Sequence, residues 1–327
     1  MKLLVLLSTY NGARYLAEQI ESIRGQTWPG WELVVRDDGS TDGTIELVEE
    51  FARRDRRIRL WRDGCGNLGP AASFGALLEH AWAAGATYAA LADQDDVWMP
   101  DKLQRELALL QAHEAAGEPD HPLLVHTDLP VVDDRLRTLH PSFLRHQRLE
   151  HVRTDPLRRL LVQNFVTGCT VVVNRALLRA AIPVPPVVMH DWWLAQCAAA
   201  LGTILFLPKP TVRYRQHGGN ALGGRGALRL YADALRRPAE WWVRGRRGLA
   251  AGKDQASELA RRLELLAGMV PVDPRTTDLV RRYAAALDGS LGPLRRLREI
   301  RRLRVRPRSL FSPLFYLRVL AGFSEAG

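Results

Sequence analysis

Between Ala92 and Trp98 the chain sets three carboxylates in four positions, Asp93, Asp95 and Asp96, with Gln94 among them. Like charges this close raise one another's pKa and cost stability unless a cation or hydrogen-bond donors offset them. Oxygen-only donors suit a hard divalent ion such as Mg²⁺ or Mn²⁺, which completes its shell with water and substrate phosphates. Taken alone, the same residues also read as a solvated acidic turn. Further polar clusters follow the same pattern of short apolar run, then acid or amide: Thr9-Tyr10-Asn11, Asp37-Asp38-Gly39-Ser40 and Asn67-Leu68-Gly69. Later come His190-Asp191-Trp192-Trp193 and Gln216-His217-Gly218-Gly219-Asn220. An acid beside two indoles sheds water and rises in pKa towards the range of a general base, although the start of a helix also needs an N-cap. Lone histidines are usually structural, but the glycines after His217 let backbone approach a phosphate closely.

The elements that must hold these clusters are legible. Leu3–Leu7 is a continuous apolar run, the kind buried on both faces of a parallel sheet. A helix through Leu16, Ile20 and Ile23 follows, then a strand at Trp31–Arg36 and a helix through Ile45, Val48 and Phe51, capped by Thr41 or Asp42. Ile58–Trp61 predicts a third strand, Pro70 a helix start, Tyr88–Ala92 a fourth strand, and Leu103, Leu107 and Leu110 another helix. Strand and helix alternating in this way give a doubly wound α/β sheet, and ligands of such sheets bind outside the carboxyl ends of the strands. The polar clusters of the first half all fall there. In the second half, strands are expected at Leu123–Thr127, Val131–Val132, Val171–Val173, Ile204–Leu207 and Val212–Tyr214, with a helix opening at His190.

The 327 residues carry a net charge of +10, unevenly spread. Met1–Gly224 holds 24 Lys and Arg against 26 Asp and Glu, whereas Arg225–Gly327 holds 22 against 10. A basic C-terminal third points to an anionic partner there. Domains are expected at 1–224 and 225–327, divided at Gly223-Gly224-Arg225-Gly226. The cysteines Cys65, Cys169 and Cys197 are odd in number and form no CxxC pair, which reads as free thiols in a reducing compartment. No apolar run approaches the roughly 18 residues of a membrane span, and no signal peptide is read, so a cytoplasmic protein is expected.

Together, Ser8–Gly12, Asp37–Thr44, Ala92–Trp98, His190–Trp193 and Gln216–Asn220 resemble family 2 glycosyltransferases in order and separation. The DQDDVW and HDWW forms are most similar to bacterial rhamnosyltransferase-type members of polysaccharide assembly. The resemblance covers roughly Met1 to Gly224. It implies a GT-A fold: a mixed sheet with a Rossmann-like nucleotide-binding half and an acceptor half, here followed by a basic helical extension. It implies inverting transfer from a dTDP- or UDP-linked sugar, dTDP-L-rhamnose among them, to a saccharide or lipid-linked acceptor, with a divalent metal. By the same resemblance Asp95 and His217 hold the metal and Asp191 is the catalytic base. Asp93 meets the ribose and Asp38 the N–H of a pyrimidine ring. Thr9 and Tyr10 line the base pocket, Asn11 and Asn67 join the nucleotide-sugar set, and Trp192 offers a sugar platform. Asp96 either ligates or caps the following helix. One departure stands out: relatives carry a basic residue and an asparagine where this chain has Ala72 and Ser73, and neither is placed in the site. A nucleotidylyltransferase would share the sheet and acids, but Ser8–Gly12 lacks its Gly-rich basic loop. A non-catalytic nucleotide-sugar-binding scaffold would not need Asp191 and His217 together.

Leu294, Leu297, Ile300 and Leu303 recur every three positions among arginines, a basic amphipathic pattern that reads as an anchor on an anionic membrane surface. Packing of that stripe within the fold is the alternative. Nucleic acid is not expected, since no fold or motif for it accompanies the charge.

Overall fold

The computed structural model describes residues 1–187, 189–217, 236–308 and 312–321. Leu3-Leu4-Val5-Leu6-Leu7 offers no polar face, so both faces must be covered, and all five side chains are buried. β1 (Leu3–Thr9) pairs in parallel with β2 (Trp31–Asp37) and with β4 (Tyr88–Ala92), and β3 (Ile58–Leu60) extends the sheet beyond β2. The connections are α1 (Ala13–Arg24), α2 (Thr44–Arg54) and α3 (Pro70–Ala83), which bury Leu16, Ile20, Val48, Phe51, Leu77 and Leu78. Proline at the first position of α3 gives up only an N–H that would have no helical partner.

After β5 (Val97–Trp98), α4 (Lys102–Ala116) leads to β6 (Leu123–Thr127), β7 (Val131–Val132), β8 (Thr138–His140), α5 (Phe143–His146) and α6 (Pro156–Leu160). A 3-10 turn at Gly168–Thr170 precedes β9 (Val172–Asn174), α7 (Arg175–Ala181), α8 (His190–Leu201), β10 (Thr203–Leu207) and β11 (Val212–Arg215). Among the described residues the main sheet runs β10-β6-β9-β4-β1-β2-β3, with β9 antiparallel to both its neighbours. A smaller sheet runs β5-β11-β7-β8. The mixed α/β sheet expected from the sequence is therefore the one found.

Val97–Trp98 is a further short strand, formed by pairing with Val212 and Arg213. One local expectation is corrected. The N-cap of α2 is Gly43, in a left-handed conformation, and neither Thr41 nor Asp42. Asp42 lies one residue earlier, where Oδ1 accepts the Thr44 N–H (3.2 Å) and Oδ2 accepts the Ala13 N–H (3.1 Å), tying together the starts of α2 and α1.

The described residues fall into two compact units. The first takes in Met1–Leu144, Val166–Ala198 and the described part of Gly202–Gly223. The second gathers Arg145–Phe165, Ala199–Leu201 and the described part of Gly224–Gly327. Its principal helices are α9 (Pro238–Leu266), α10 (Pro274–Ala286), α11 (Pro293–Arg302) and α12 (Ser312–Ala321). The expected stripe on α11 divides: Ile300 and Leu303 are buried, Leu297 is half-buried, and Leu294 is 77% exposed. Arg296, one of the arginines among which the stripe is set, is buried, donating to the Val319 and Leu291 carbonyls (3.1 and 3.0 Å). No helix among the described residues is long and apolar enough to cross a membrane.

Candidate functional site

The parallel register of β1 with β2 and β4 brings three loops to one edge: Thr9 pairs with Asp37, and Leu7 with Ala92. Gln94 stitches two of them. Its Oε1 accepts the Thr9 hydroxyl (2.7 Å) and the Tyr10 N–H (2.8 Å), while its Nε2 donates to the Tyr10 carbonyl (3.2 Å). Only a glycine fits beneath: a Cβ on Gly12 would stand 2.3 Å from Gln94 Oε1 and 2.7 Å from Thr9 Oγ1. Thr9 is therefore buried and occupied, whereas the Tyr10 side chain is exposed at the edge. Asn11 is engaged elsewhere, its Oδ1 accepting the Thr41 N–H (2.9 Å). Gly12→Ala is expected to force the Gln94 amide off Thr9 and Tyr10 and to weaken donor binding by roughly tenfold with the fold kept. Because both variants remove one contact, Gly12→Ala/Gln94→Ala should cost no more than either single change in a donor titration; additive losses would show two separate roles.

The neighbouring acids divide their work. Asp37 closes its own turn, accepting from the Gly39 and Ser40 N–H groups (3.0 and 2.8 Å) and the Ser40 hydroxyl (2.5 Å). Asp38 reaches across to the next loop: Oδ1 accepts from Arg36 Nη1 (2.5 Å) and the Leu68 N–H (2.7 Å), and Oδ2 from the Gly69 N–H (2.8 Å). Asn67 completes the clasp by donating to the Asp38 carbonyl (2.8 Å). A carboxylate has about four lone-pair sites, so one acceptor position of Asp38 is left for a ligand. Arg36 is buried and also meets Asp63 (2.7 Å), the Gly66 carbonyl (2.9 Å) and the Ser73 hydroxyl (3.0 Å). Ser73, left out of the site on sequence grounds, is thus a partner of the guanidinium that β2 supplies.

At the end of β4 the acids crowd. Asp95 Oδ2 and His217 Nε2 lie 2.8 Å apart. Asp96 is buried, its Oδ1 accepting the Arg215 N–H (3.0 Å), so it caps no helix; α4 starts six residues later, at Lys102. Its Oδ2 meets no N–H or O–H donor among the described residues, and the Cys169 thiol is its neighbour. Oxygens of Asp93 and Asp96 and the sulfur of Cys169 lie within 4.8 Å of one another. Burial and then the charges of Asp95 and Asp191 push Asp93 up to about 7; burial, Asp95 and Asp93 push Asp96 up as well. Burial also raises the Cys169 thiol, which keeps its proton and leaves the carboxylates as donors. Such a set is short of positive charge and rich in hard oxygen, which fits a divalent cation.

Asp191 stands in the first turn of α8, whose N-cap is Met189. It is 8% exposed, Oδ2 accepting the Gly168 N–H (3.1 Å) and Oδ1 its neighbour Trp192's N–H (2.7 Å). Gly168 permits the approach, since a Cβ there would lie 3.2 Å from His190 Nε2 and 3.4 Å from Asp191 Cβ. The aromatic residues around it separate: Trp193 is core, its indole donating to the Ala181 carbonyl (2.8 Å), while Trp192 is half-buried. His190 stacks on Phe74 with ring centroids 4.0 Å apart, and burial lowers its pKa to about 3, so it is a neutral packing residue.

The sequence profile of Glycosyl transferase family 2 matches residues 4–177, more than half of the chain. This chain belongs to that family. It is 37% identical to the putative glycosyltransferase EpsE of Bacillus subtilis over 41% of this chain and 45% of EpsE. With an uncharacterized glycosyltransferase of Nostoc sp. it shares 29% identity over 67% of this chain and 66% of that protein. The chain thus spans from under half to about two thirds of the length of these relatives. The dTDP-rhamnosyl transferase RfbG of Shigella flexneri is 23% identical over 73% of this chain and 81% of its own. Among solved structures, S. aureus TarS 1–349 in complex with UDP-GlcNAc superposes with a TM-score of 0.58 at 16% identity, covering 97% of this chain and 87% of that one. That likeness is one of fold, and the fold is the GT-A kind the motifs imply.

In this family 2 site, three supports escaped the sequence reading: Gln94, Arg36 and Arg215. Arg215 is buried and donates to the Asp95 carbonyl (2.9 Å), the Asp134 carbonyl (2.5 Å) and Glu18 (2.6 Å), pinning the acidic turn from β11. The glycines beside His217, Gly218 and Gly219, lie outside the described residues. A pH effect follows from the acids. A carboxyl near 7 in the folded chain and near 3.8 otherwise favours folding while protonated, so that contribution is present below about pH 4 and lost as pH rises through about 7. Asp96 acts with the same sign. In chelator the protein should melt several degrees lower at about pH 8 than at about pH 5.5, and Mn²⁺ should recover the loss. A melting temperature indifferent to both would contradict the acid cluster.

Proposed function

We propose that this chain moves a sugar from a pyrimidine nucleoside diphosphate to an acceptor hydroxyl with inversion at the anomeric carbon. The observation that carries the reading is one buried acid, Asp191, close enough to Asp93 for its charge to raise that carboxyl, on a chain of family 2. Asp191 takes the proton of the attacking hydroxyl as the carbon–oxygen bond forms and the bond to the diphosphate breaks. Asp95 and His217 would hold a divalent cation, with Asp93 and Asp96 adding negative charge around it. When bound, the cation offsets the charge that develops on the leaving diphosphate. The remaining acceptor site of Asp38 takes a ring N–H of the base, with Tyr10 beside it and Thr9 holding the floor through Gln94. Asn11 and Asn67 shape the two loops around the donor, and Asp93 meets the ribose. Trp192, the half-buried indole, supports a sugar ring.

The names of the relatives favour a dTDP or UDP donor and a saccharide or lipid-linked acceptor in polysaccharide synthesis. RfbG is a dTDP-rhamnosyl transferase, TarS was solved with UDP-GlcNAc, and a teichuronic acid biosynthesis glycosyltransferase, putative TuaG of B. subtilis, is 32% identical over 34% of this chain. The net charge of the C-terminal third suits work beside an anionic membrane surface, with L-rhamnose as the first sugar to try. A thermal-shift screen of sugar nucleotides with Mn²⁺ tests the donor. Stabilisation by dTDP- or UDP-sugars that chelator abolishes is expected; stabilisation by purine nucleotides alone would contradict it.

A further inference from the structure

The second unit carries a concentration of arginine that the transfer reading does not use. A depression of about 450 Å³ is lined by Arg158, Arg275, Arg282 and Arg302, with Asp278. A second of about 380 Å³ shares Arg282 and Arg302 and adds Arg295, Arg298 and Glu299. The two therefore adjoin along α10 and α11. Their acids are already spoken for: Arg282 pairs with both Asp278 (3.5 Å) and Glu299 (2.5 Å). Arg158 pairs with Asp155 and donates to the Leu303 carbonyl. That leaves Arg275, Arg295, Arg298 and Arg302 with no acidic partner among the described residues.

The arrangement is unfavourable as it stands. Arg295, Arg298 and Arg302 follow one another at spacings of three and four on α11, where like charges face each other and destabilise a helix. Arginines of α9, by contrast, are neutralised at the same spacing, Arg244 by Glu240 and Arg261 by Glu258. A concave surface with several unpaired guanidinium groups matches an anion with several oxygens, because the planar fork of arginine donates two parallel hydrogen bonds to phosphate.

We infer that the groove between α10 and α11 is a binding site for a phosphate or pyrophosphate group, separate from the donor site. The group is carried either by a small soluble anion or by a lipid headgroup, and both present the same oxygens. The inference stands on the second unit alone and not on the transfer chemistry.

The test uses the full chain in chelator, so that the metal-dependent donor loops take up neither nucleotide nor pyrophosphate. Isothermal titration with inorganic pyrophosphate forms one arm. Co-sedimentation with phosphatidylglycerol vesicles, against phosphatidylcholine vesicles, forms the other. Binding in either arm should weaken by roughly tenfold or more in Arg298→Ala/Arg302→Ala and fall as salt rises, since each arginine near an anionic surface contributes measurably. Arg261→Ala, a paired arginine on α9, should match the parent, and the double variant should melt no lower than the parent. Binding of pyrophosphate identifies a soluble ligand as sufficient; binding of vesicles alone assigns the phosphate to a lipid. If neither probe binds, or if Arg298→Ala/Arg302→Ala binds as the parent does, the site does not exist.

Discussion

Asp191→Asn should lower turnover by roughly 100-fold or more while the protein still folds and still binds its donor, the scale of lost general-base catalysis. The substitution is nearly isosteric, and its oxygen can still accept the Gly168 N–H that Asp191 accepts now (3.1 Å). What it removes is the proton acceptor and one negative charge beside Asp93. The second loss gives an independent readout. Asp191 is among the causes of the raised Asp93 pKa, so the pH at which metal-free protein loses stability should move down in the variant. Steady-state kinetics and a melting series together separate the two. Parental turnover in Asp191→Asn would remove Asp191 from the chemistry.

Asp95→Ala should abolish metal-dependent donor affinity and with it nearly all transfer, because it takes away an oxygen donor and the partner of His217 at 2.8 Å. The turn itself should survive, since Arg215 holds it through the Asp95 carbonyl and through Asp96 and not through the Asp95 side chain. Donor titrations with and without Mn²⁺ check this. Full activity of the parent protein in excess chelator would leave His217 and neighbouring basic groups to carry the diphosphate, and the metal assignment would fall.

Much of this was legible because it is local. A five-residue apolar run at Leu3–Leu7 has one physical solution, and the acids and amides that follow such runs must lie at the carboxyl edge of the sheet. What a single chain conceals is the partner. Asp37 and Asp38 are adjacent and identical in type, yet one closes its own turn and the other clasps a loop some thirty residues on. Arg215 supports a turn 120 residues away, and nothing in its surroundings announces that. The α11 stripe divides for a related reason. Its periodicity fixed which residues share a side, but whether that side meets helices or solvent depends on α10 and α12, and the answer changes between Leu294 and Ile300.

The most direct measurement is product analysis by proton NMR. The full chain, Mn²⁺, a saccharide acceptor and each of a panel of UDP- and dTDP-sugars are incubated, and the released nucleotide and the new anomeric signal are followed. At least one donor should give a free nucleoside diphosphate together with a glycoside of inverted anomeric configuration, and Asp191→Asn should slow the release of both equally. Retention of configuration, exchange of pyrophosphate into the donor, or donor binding with no turnover across the panel would contradict inverting transfer.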